Sequence, residues 1–424
     1  PLDTIEALAW GSNLDWGFNK HPPLSAFVVE MFYFIFGPID WVYYLLSQIF
    51  VVIAFIYVWK LSNEIFQEKM FAFLSLITLE GIFFYNFTTP EFNVNVCQLP
   101  FWALSVYYFW MGLKENKRLN WVLFGIFSAL GFLSKYLFIY ILLSCFLFLL
   151  FNFKRYAKII PNYVFSVMVS IAILIPHFFW LFENEFITIE YGLRRSSFTD
   201  TSLISHMINP SLFILKQFFV LVPFFLMIFI LLKKFKVNLN LQNRKILFLT
   251  FVTIVPLGLV IITSILTGAN IRTMWMTPFY LFLGIYCFLI FKNSINLKRI
   301  KNFFVIFFIF FILSPISYLA VSVLDDTKRT DYPGKEISRL VQNKWDNNFT
   351  NEIDIVIGDE WSAGNLSYHL ISRPIWTNEL KIDLLKINDH RGVIYTGNPK
   401  ILKKVCPGVF GTIKPVGYCM IGKK

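Results

Sequence analysis

The chain has 424 residues, of which 57% are hydrophobic and 15% charged, with 51 phenylalanines. Soluble domains carry about 25% charged residues, so an ordinary soluble protein is excluded and a polytopic membrane protein is expected. The net charge of +12 comes without finger spacing, a basic helix or an RNA-binding signature, so nucleic acid is not expected as a partner. Anionic membrane lipid is compatible with that charge.

Asp3, Glu6, Asp15, Lys20 and His21 all precede the pair Pro22-Pro23, after which the chain turns apolar. The prolines hold the backbone before them extended and so aim Lys20 and His21. Leu24–Phe36 is apolar but too short to span a bilayer alone, and is expected to lie in the interface or re-enter. Ten apolar runs then read as spans: residues 41–59, 70–87, 98–113, 121–134, 136–153, 163–182, 212–232, 246–267, 274–291 and 303–324. A helix upstream of Pro1 is expected to carry the first loop across the membrane.

Basic residues recur in alternate connections: Lys60 and Lys69; Lys114, Lys117 and Arg118; Lys154, Arg155 and Lys158; Lys233, Lys234, Lys236, Arg244 and Lys245; Lys292, Lys298, Arg299 and Lys301. Those loops are expected in the cytoplasm. The first loop, residues 87–95, Lys135, residues 183–210, the turn at Arg272 and everything after Asp325 then face outward.

After residue 324 the texture changes. Strand-like runs at 353–358 and 392–397 flank a helical stretch near 362–371, which suits one small α/β domain. The chain therefore divides into a membrane domain, 1–324, and a C-terminal domain, 325–424. Cys406 and Cys419 read either as a disulfide, allowed in an oxidising compartment, or as two free thiols. Cys97, Cys145 and Cys287 fall in spans and read as packing residues. No Walker loop and no GxGxxG precedes a helix, which removes support for ATP-driven transport and nucleotide cofactors.

The block formed by Asp3, Glu6, Ala7, Trp10, Gly11, Leu14, Trp16, Gly17, Lys20, His21, Pro22, Pro23 and Leu24 resembles the first external loop of the dolichyl-phosphate-mannose-protein mannosyltransferase-like glycosyltransferases. These include the bacterial aminoarabinose and galacturonic acid transferases that modify lipid A. Similar pieces are TPEFNVNV at 89–96, GFLSKY at 131–136, NIRTMWMTP at 270–278 and GDEWSAGNLSYHLISRP at 358–374. The resemblance implies a GT-C fold: an all-α polytopic membrane bundle with a small C-terminal α/β extracytoplasmic domain. It further implies transfer of a sugar, with inversion, from a polyprenyl (undecaprenyl) phosphate donor outside the cytoplasm. The expected acceptor is lipid A or another envelope glycan, with a protein hydroxyl as the alternative. The expected place is the bacterial inner membrane, with the active site and C-terminal domain facing the periplasm. A non-catalytic flippase for lipid-linked sugars is the competing class, though no paired halves or mid-span acids of the kind carriers show are present.

Such chemistry needs cations to hold the phosphate as the glycosidic bond breaks, and a carboxylate where the attacking group is a hydroxyl. Asp3 and Glu6, on one face of a helix at i and i+3, are the candidate catalytic acids; the choice between them stays open, and an N-cap role for Asp3 is the plainer reading. Lys20, His21, Lys135 and Arg272 are the candidate donor-phosphate ligands. The aminoarabinose branch has Glu-Lys where this chain has Lys20-His21, so that metal ligand is missing here; a divalent metal is left open as a cofactor. Lys135 interrupts an apolar run, and an ionisable residue at such depth reads as functional, with snorkelling as the plain alternative. Glu91, Tyr136, Arg194, Arg195 and Trp275 are candidate acceptor or donor ligands; a guanidinium pair suits phosphate, but salt-bridged surface roles also suit Arg194 and Arg195. His177 reads as a satisfied core or interface histidine, while His206, His369 and His390 show no ligand spacing.

Overall fold

A computed structural model describes residues 1–197, 202–325, 328–378 and 391–424. The chain opens with two short helices, α1 (Leu2–Gly11) and α2 (Leu24–Phe36), which pack on each other. Asp3 in the first turn of α1 complements the helix dipole. The paired prolines precede α2, and Gly37, at φ +68°, ends it.

The bundle continues with α3 (Asp40–Phe66), α4 (Lys69–Ile77), α5 (Phe83–Asn86), α6 (Val94–Glu115), α7 (Arg118–Ser134) and α8 (Ile139–Phe151). Beyond them lie α9 (Phe153–Tyr156), α10 (Ile160–Glu183), α11 (Ile187–Arg195), α12 (Ser205–Leu231), α13 (Arg244–Thr267), α14 (Leu283–Ile290) and α15 (Ile300–Leu324). At about 1.5 Å rise per residue, the 27 residues of α3 are ample for a hydrocarbon core of about 30 Å.

Among the described residues, five helical stretches are long and apolar enough to cross a membrane: Asp40–Phe66, Phe153–Glu183, Ser205–Leu231, Arg244–Thr267 and Leu297–Leu324. A sixth is Thr273–Tyr280 with Leu283–Ile290 if that pair, bent by 57°, counts as one span. Two other expected runs sit in the shorter apolar helices Arg118–Ser134 and Tyr136–Phe151. The run at 70–87 is not one helix. It breaks into α4, a single 3-10 turn and α5, because the chain is pressed against α12 at Gly81, where an added β-carbon would lie 2.6 Å from the Phe224 Cα.

Helix α6 forms the axis of the bundle and packs on both α3 and α7. Asn93 caps it by accepting hydrogen bonds from the Asn95 and Val96 amides. Aromatic rings fill the space around it: the Trp102 ring lies 4.8 Å from Phe279 and 5.4 Å from Phe138. By contrast, Phe303 is the one buried residue of α15, as suits a helix solvated largely by lipid.

The C-terminal region comprises α16 (Gly334–Asp346), β1 (Ile353–Ile357), α17 (Ser362–His369), β2 (Ile375–Thr377), β3 (Gly392–Gly397), α18 (Pro399–Val405), β4 (Val409–Ile413) and β5 (Val416–Ile421). The sheet order is β2-β1-β3-β5-β4, parallel across β2, β1 and β3 and antiparallel across β3, β5 and β4. Cys406 and Cys419 form a disulfide, whereas Cys97, Cys145 and Cys287 are free and buried.

This region docks on the first two helices. Ala9, Trp10, Phe18 and Ala26 share one core with Val341, Trp345, Leu366 and Trp376. Arg373 locks the contact: it pairs with Glu30 at 2.5 Å, donates to the Leu8 carbonyl at 2.7 Å and lies 4.1 Å over the Tyr33 ring. Both charged partners are mostly buried, so Arg373→Ala leaves Glu30 unpaired. The expected loss is about 3 kcal/mol, readable as a lower denaturant midpoint and faster proteolysis between α15 and α16; unchanged values would mean that the apolar core alone holds the domain.

Candidate active site

The first loop is strapped down by the end of α10 and by α11. Asp15 accepts from the Trp16 amide at 2.7 Å and from the Trp180 indole at 2.8 Å. His177 Nδ1 donates to the Trp16 carbonyl at 2.6 Å, which leaves Nε2 as the acceptor for the Tyr136 hydroxyl at 2.9 Å. Thr188 donates to the Phe18 carbonyl at 2.5 Å. Gly17 permits this closeness, since a β-carbon there would lie 2.3 Å from the Trp180 ring. Tyr136 and His177 thus serve to hold the loop.

The strapped loop lays His21 against α1. Asp3, Glu6, Ala7, Trp10, His21, Ser25 and Val94 line a closed cavity of about 10 Å³, room for a single water. Asp3 and Glu6 face this cavity together, one helical turn apart, as their spacing implied. Their surroundings differ. Glu6 is ion-paired to Lys20 at 2.6 Å, and Lys20 also reaches Glu360 at 3.1 Å. Asp3 has no such direct pair among the described residues; its backbone amide donates to Glu91 Oε1 at 3.1 Å.

Lys135 enters from the break after α7 and is only 6% exposed. Its Nζ donates to Asn95 Oδ1 at 2.5 Å and lies 5.3 Å from the centre of the Trp275 ring. The structure therefore brings Lys135, Trp275 and Asp3 into one neighbourhood from three distant parts of the chain.

The electrostatics follow from burial. Burial raises the Asp3 carboxyl above its ordinary value, opposed by the charges of Lys135 and Lys20. Burial also raises Glu6, against the Lys20 hydrogen bond. Glu91 is pushed up to about 7 by burial and by the Asp3 charge. Burial works against the charge of Lys20, but Glu6 and Glu360 outweigh it and raise the value. Lys135 falls to about 7 through burial, with Asp3 opposing. His21 falls to about 3 through burial and the charges of Lys135, Lys20 and Arg195, so it offers a neutral imidazole near pH 7.

Other candidates stand farther out. Arg272 is exposed on its turn, and Arg194 is exposed and pairs with Glu190 at 3.7 Å along α11. Arg195, also exposed, is near enough for His21 to feel its charge. His390 lies outside the described residues. Among the described residues, no group of three or more His, Cys, Asp or Glu is arranged to hold a metal ion. Glu360 went unnoticed in the sequence, although it sits in the GDEW run that carries part of the resemblance. Ser25, whose buried hydroxyl lines the cavity without a partner, gave no signal.

Residues 20–180 match the family model of dolichyl-phosphate-mannose-protein mannosyltransferase. The chain has the GT-C fold. It is similar to ArnT from Cupriavidus metallidurans in the apo state, with a TM-score of 0.60 and 11% identity, covering 99% of this chain and 93% of that one. Against the same ArnT bound to undecaprenyl phosphate the TM-score is 0.61 at 12% identity, with the same coverage. No curated protein matches the chain by sequence. The matched span includes Lys20, His21, Glu91, Lys135 and Tyr136, whereas Asp3, Glu6, Arg194, Arg195, Arg272 and Trp275 fall outside it. The all-α membrane bundle with a small C-terminal sheet domain, expected from the resemblance, is the observed architecture.

Proposed function

We propose that the protein is an integral-membrane glycosyltransferase that moves a sugar from a polyprenyl phosphate donor to lipid A or another envelope glycan, on the periplasmic face of a bacterial inner membrane. The observation that carries this reading is the meeting of a half-buried carboxylate, Asp3, with a buried cation, Lys135, whose charges act on one another. The solved ArnT that holds undecaprenyl phosphate supports the donor class, and the mannosyltransferase family model supports sugar transfer.

In the proposed reaction the acceptor hydroxyl oxygen attacks the anomeric carbon as the bond from that carbon to the phosphate oxygen breaks. The hydroxyl proton passes to Asp3, and the electron pair of the broken bond leaves on the lipid phosphate. Lys135 holds that phosphate as its charge grows. Attack from the face opposite the leaving group inverts the anomeric centre. Glu6 is committed to Lys20, which favours Asp3 as the base. His21, neutral, donates a single hydrogen bond and adds no charge. In this reading Trp275 braces Lys135, and Glu91 holds the start of α1. In the same reading Arg195, whose charge reaches His21, and the exposed Arg272 would meet incoming phosphates first.

A protein hydroxyl as acceptor is the second reading, favoured by the description of the family model itself. The test is product formation by purified protein in detergent, given undecaprenyl phosphate sugars and either lipid A or a serine/threonine peptide, read by mass spectrometry. Sugar on lipid A is the expected result. Sugar on the peptide alone replaces the acceptor, and no transfer to either, with donor consumed by neither, sinks the enzyme reading and leaves a carrier.

A further inference from the structure

At the end of the bundle away from the first loop, three helix ends converge: the close of α3 at Glu64, the last turns of α6 at Trp110 and Lys114, and the start of α13 at Arg244 and Lys245. They line an open cavity of about 560 Å³. Three cations and one carboxylate face it. Lys114 is neutralised by Glu64 at 2.6 Å, and Lys245 donates to the Ile65 carbonyl at 2.5 Å.

Arg244 is different. No carboxylate pairs with it among the described residues, and its guanidinium lies between aromatic rings, 5.1 Å from Trp110 and 5.5 Å from Tyr156. The rings favour the flat face of the cation but accept nothing from its N–H edge. Arg244 Nε and Nη2 are buried without a hydrogen-bond partner, and so is the Tyr156 hydroxyl. Arg244 itself is half-buried, but N–H groups buried without an acceptor are costly, and an anion seated beside them removes that cost.

The position says where such an anion comes from. Arg244 stands where the apolar length of α13 gives way to a basic loop, beside Trp110 and Tyr156, whose ring types mark membrane interfaces. Phe151 and Phe153, both well exposed, run past the same corner, and Phe151 packs on Phe251 of α13 at 6.2 Å. An anion at that depth with apolar surface beside it is a lipid headgroup with its chains along the bundle.

We infer that this cavity binds the phosphate of an anionic phospholipid, gripped by Arg244 and Lys245, as a structural lipid site separate from the first-loop site. The inference does not depend on the sugar-transfer reading, and its test needs no activity. Purified full-length protein in detergent is titrated with phosphatidylglycerol or phosphatidylcholine, and bound lipid is counted by native mass spectrometry. Phosphatidylglycerol is expected to be retained preferentially. Arg244→Gln with Lys245→Gln is expected to weaken it about tenfold or more, while Lys233→Gln with Lys234→Gln, two exposed lysines nearby, changes it less than about twofold. Millimolar inorganic phosphate is expected not to displace the lipid.

Equal retention by wild type and the Arg244/Lys245 variant overturns the site, as does equal retention of phosphatidylcholine. Ready displacement by inorganic phosphate overturns the lipid assignment in favour of a soluble anion. Should the double variant not fold, Lys114→Gln with Lys245→Gln probes the same cavity with Arg244 in place. A drop of a few-fold supports the site, and no drop contradicts it.

Discussion

Asp3→Asn is expected to lower sugar transfer by about 10³-fold while the protein still inserts, folds and elutes as wild type does. Asparagine keeps the size of the side chain, and the bond from the residue 3 amide to Glu91 is a backbone bond that survives. What disappears is the proton acceptor of the proposed reaction. Glu6→Gln is the control, since it removes the carboxylate tied to Lys20 and leaves Asp3 intact. Its effect is expected at about tenfold and mainly in KM, because it loosens Lys20 without touching the base. Initial rates with purified variants read the difference. If Glu6→Gln is the crippled one and Asp3→Asn turns over normally, the roles given to the two acids are reversed.

Lys135→Met is expected to cost about 10²–10³ in kcat/KM. Methionine fills the space and keeps the apolar contact with Trp275, but offers the leaving phosphate no charge. The loss of Lys135 also removes the largest force holding Asp3 ionised, so the base is weakened as well. The pH profile carries a separate signature. Lys135 titrates at about 7, below its ordinary value, so its charge is present under pH 7 and lost as pH rises through that value. Asp3 is raised, so its carboxylate is lost as pH falls through a value above the usual carboxylate range. Wild-type kcat/KM, which reports the free enzyme, is therefore expected to fall on both sides of a maximum, with its alkaline limb near pH 7 and its acid limb above the usual carboxylate range. Lys135→Arg keeps a cation at every accessible pH and is expected to abolish the alkaline limb. An unchanged alkaline limb in that variant would assign it to another group.

Much of this architecture was readable in advance because hydrophobicity and proline act locally. The membrane class follows from composition, and the prolines before α2 mark the end of the polar loop. Lys135 stood out as a lone cation between apolar runs, and it is buried beside Asn95 and Trp275. The break inside residues 70–87 was invisible because its cause is tertiary: Gly81 meets Phe224 of α12, and hydropathy carries no record of that crossing. Glu360 was invisible for a related reason. It sits more than 300 residues from Lys20, on the far side of the whole bundle in sequence, and only the docking of α17 against α1 brings it to 3.1 Å. Tyr136 and His177 were legible as polar residues in apolar surroundings, but their task of clamping the Trp16 carbonyl depends on a loop whose path no spacing rule encodes.

The cavity beside Asp3 has room for only about one water, so a sugar enters it only if α1 and the strapped loop part. The account rests on the idea that a lipid phosphate brings this about by seating itself on Lys135. A structure of the protein with undecaprenyl phosphate bound tests that most directly. Phosphate oxygens within hydrogen-bonding distance of Lys135 Nζ, with the Asp3 cavity widened beside them, are the predicted result. A phosphate bound elsewhere, with Lys135 still on Asn95 and the cavity still closed, would contradict it.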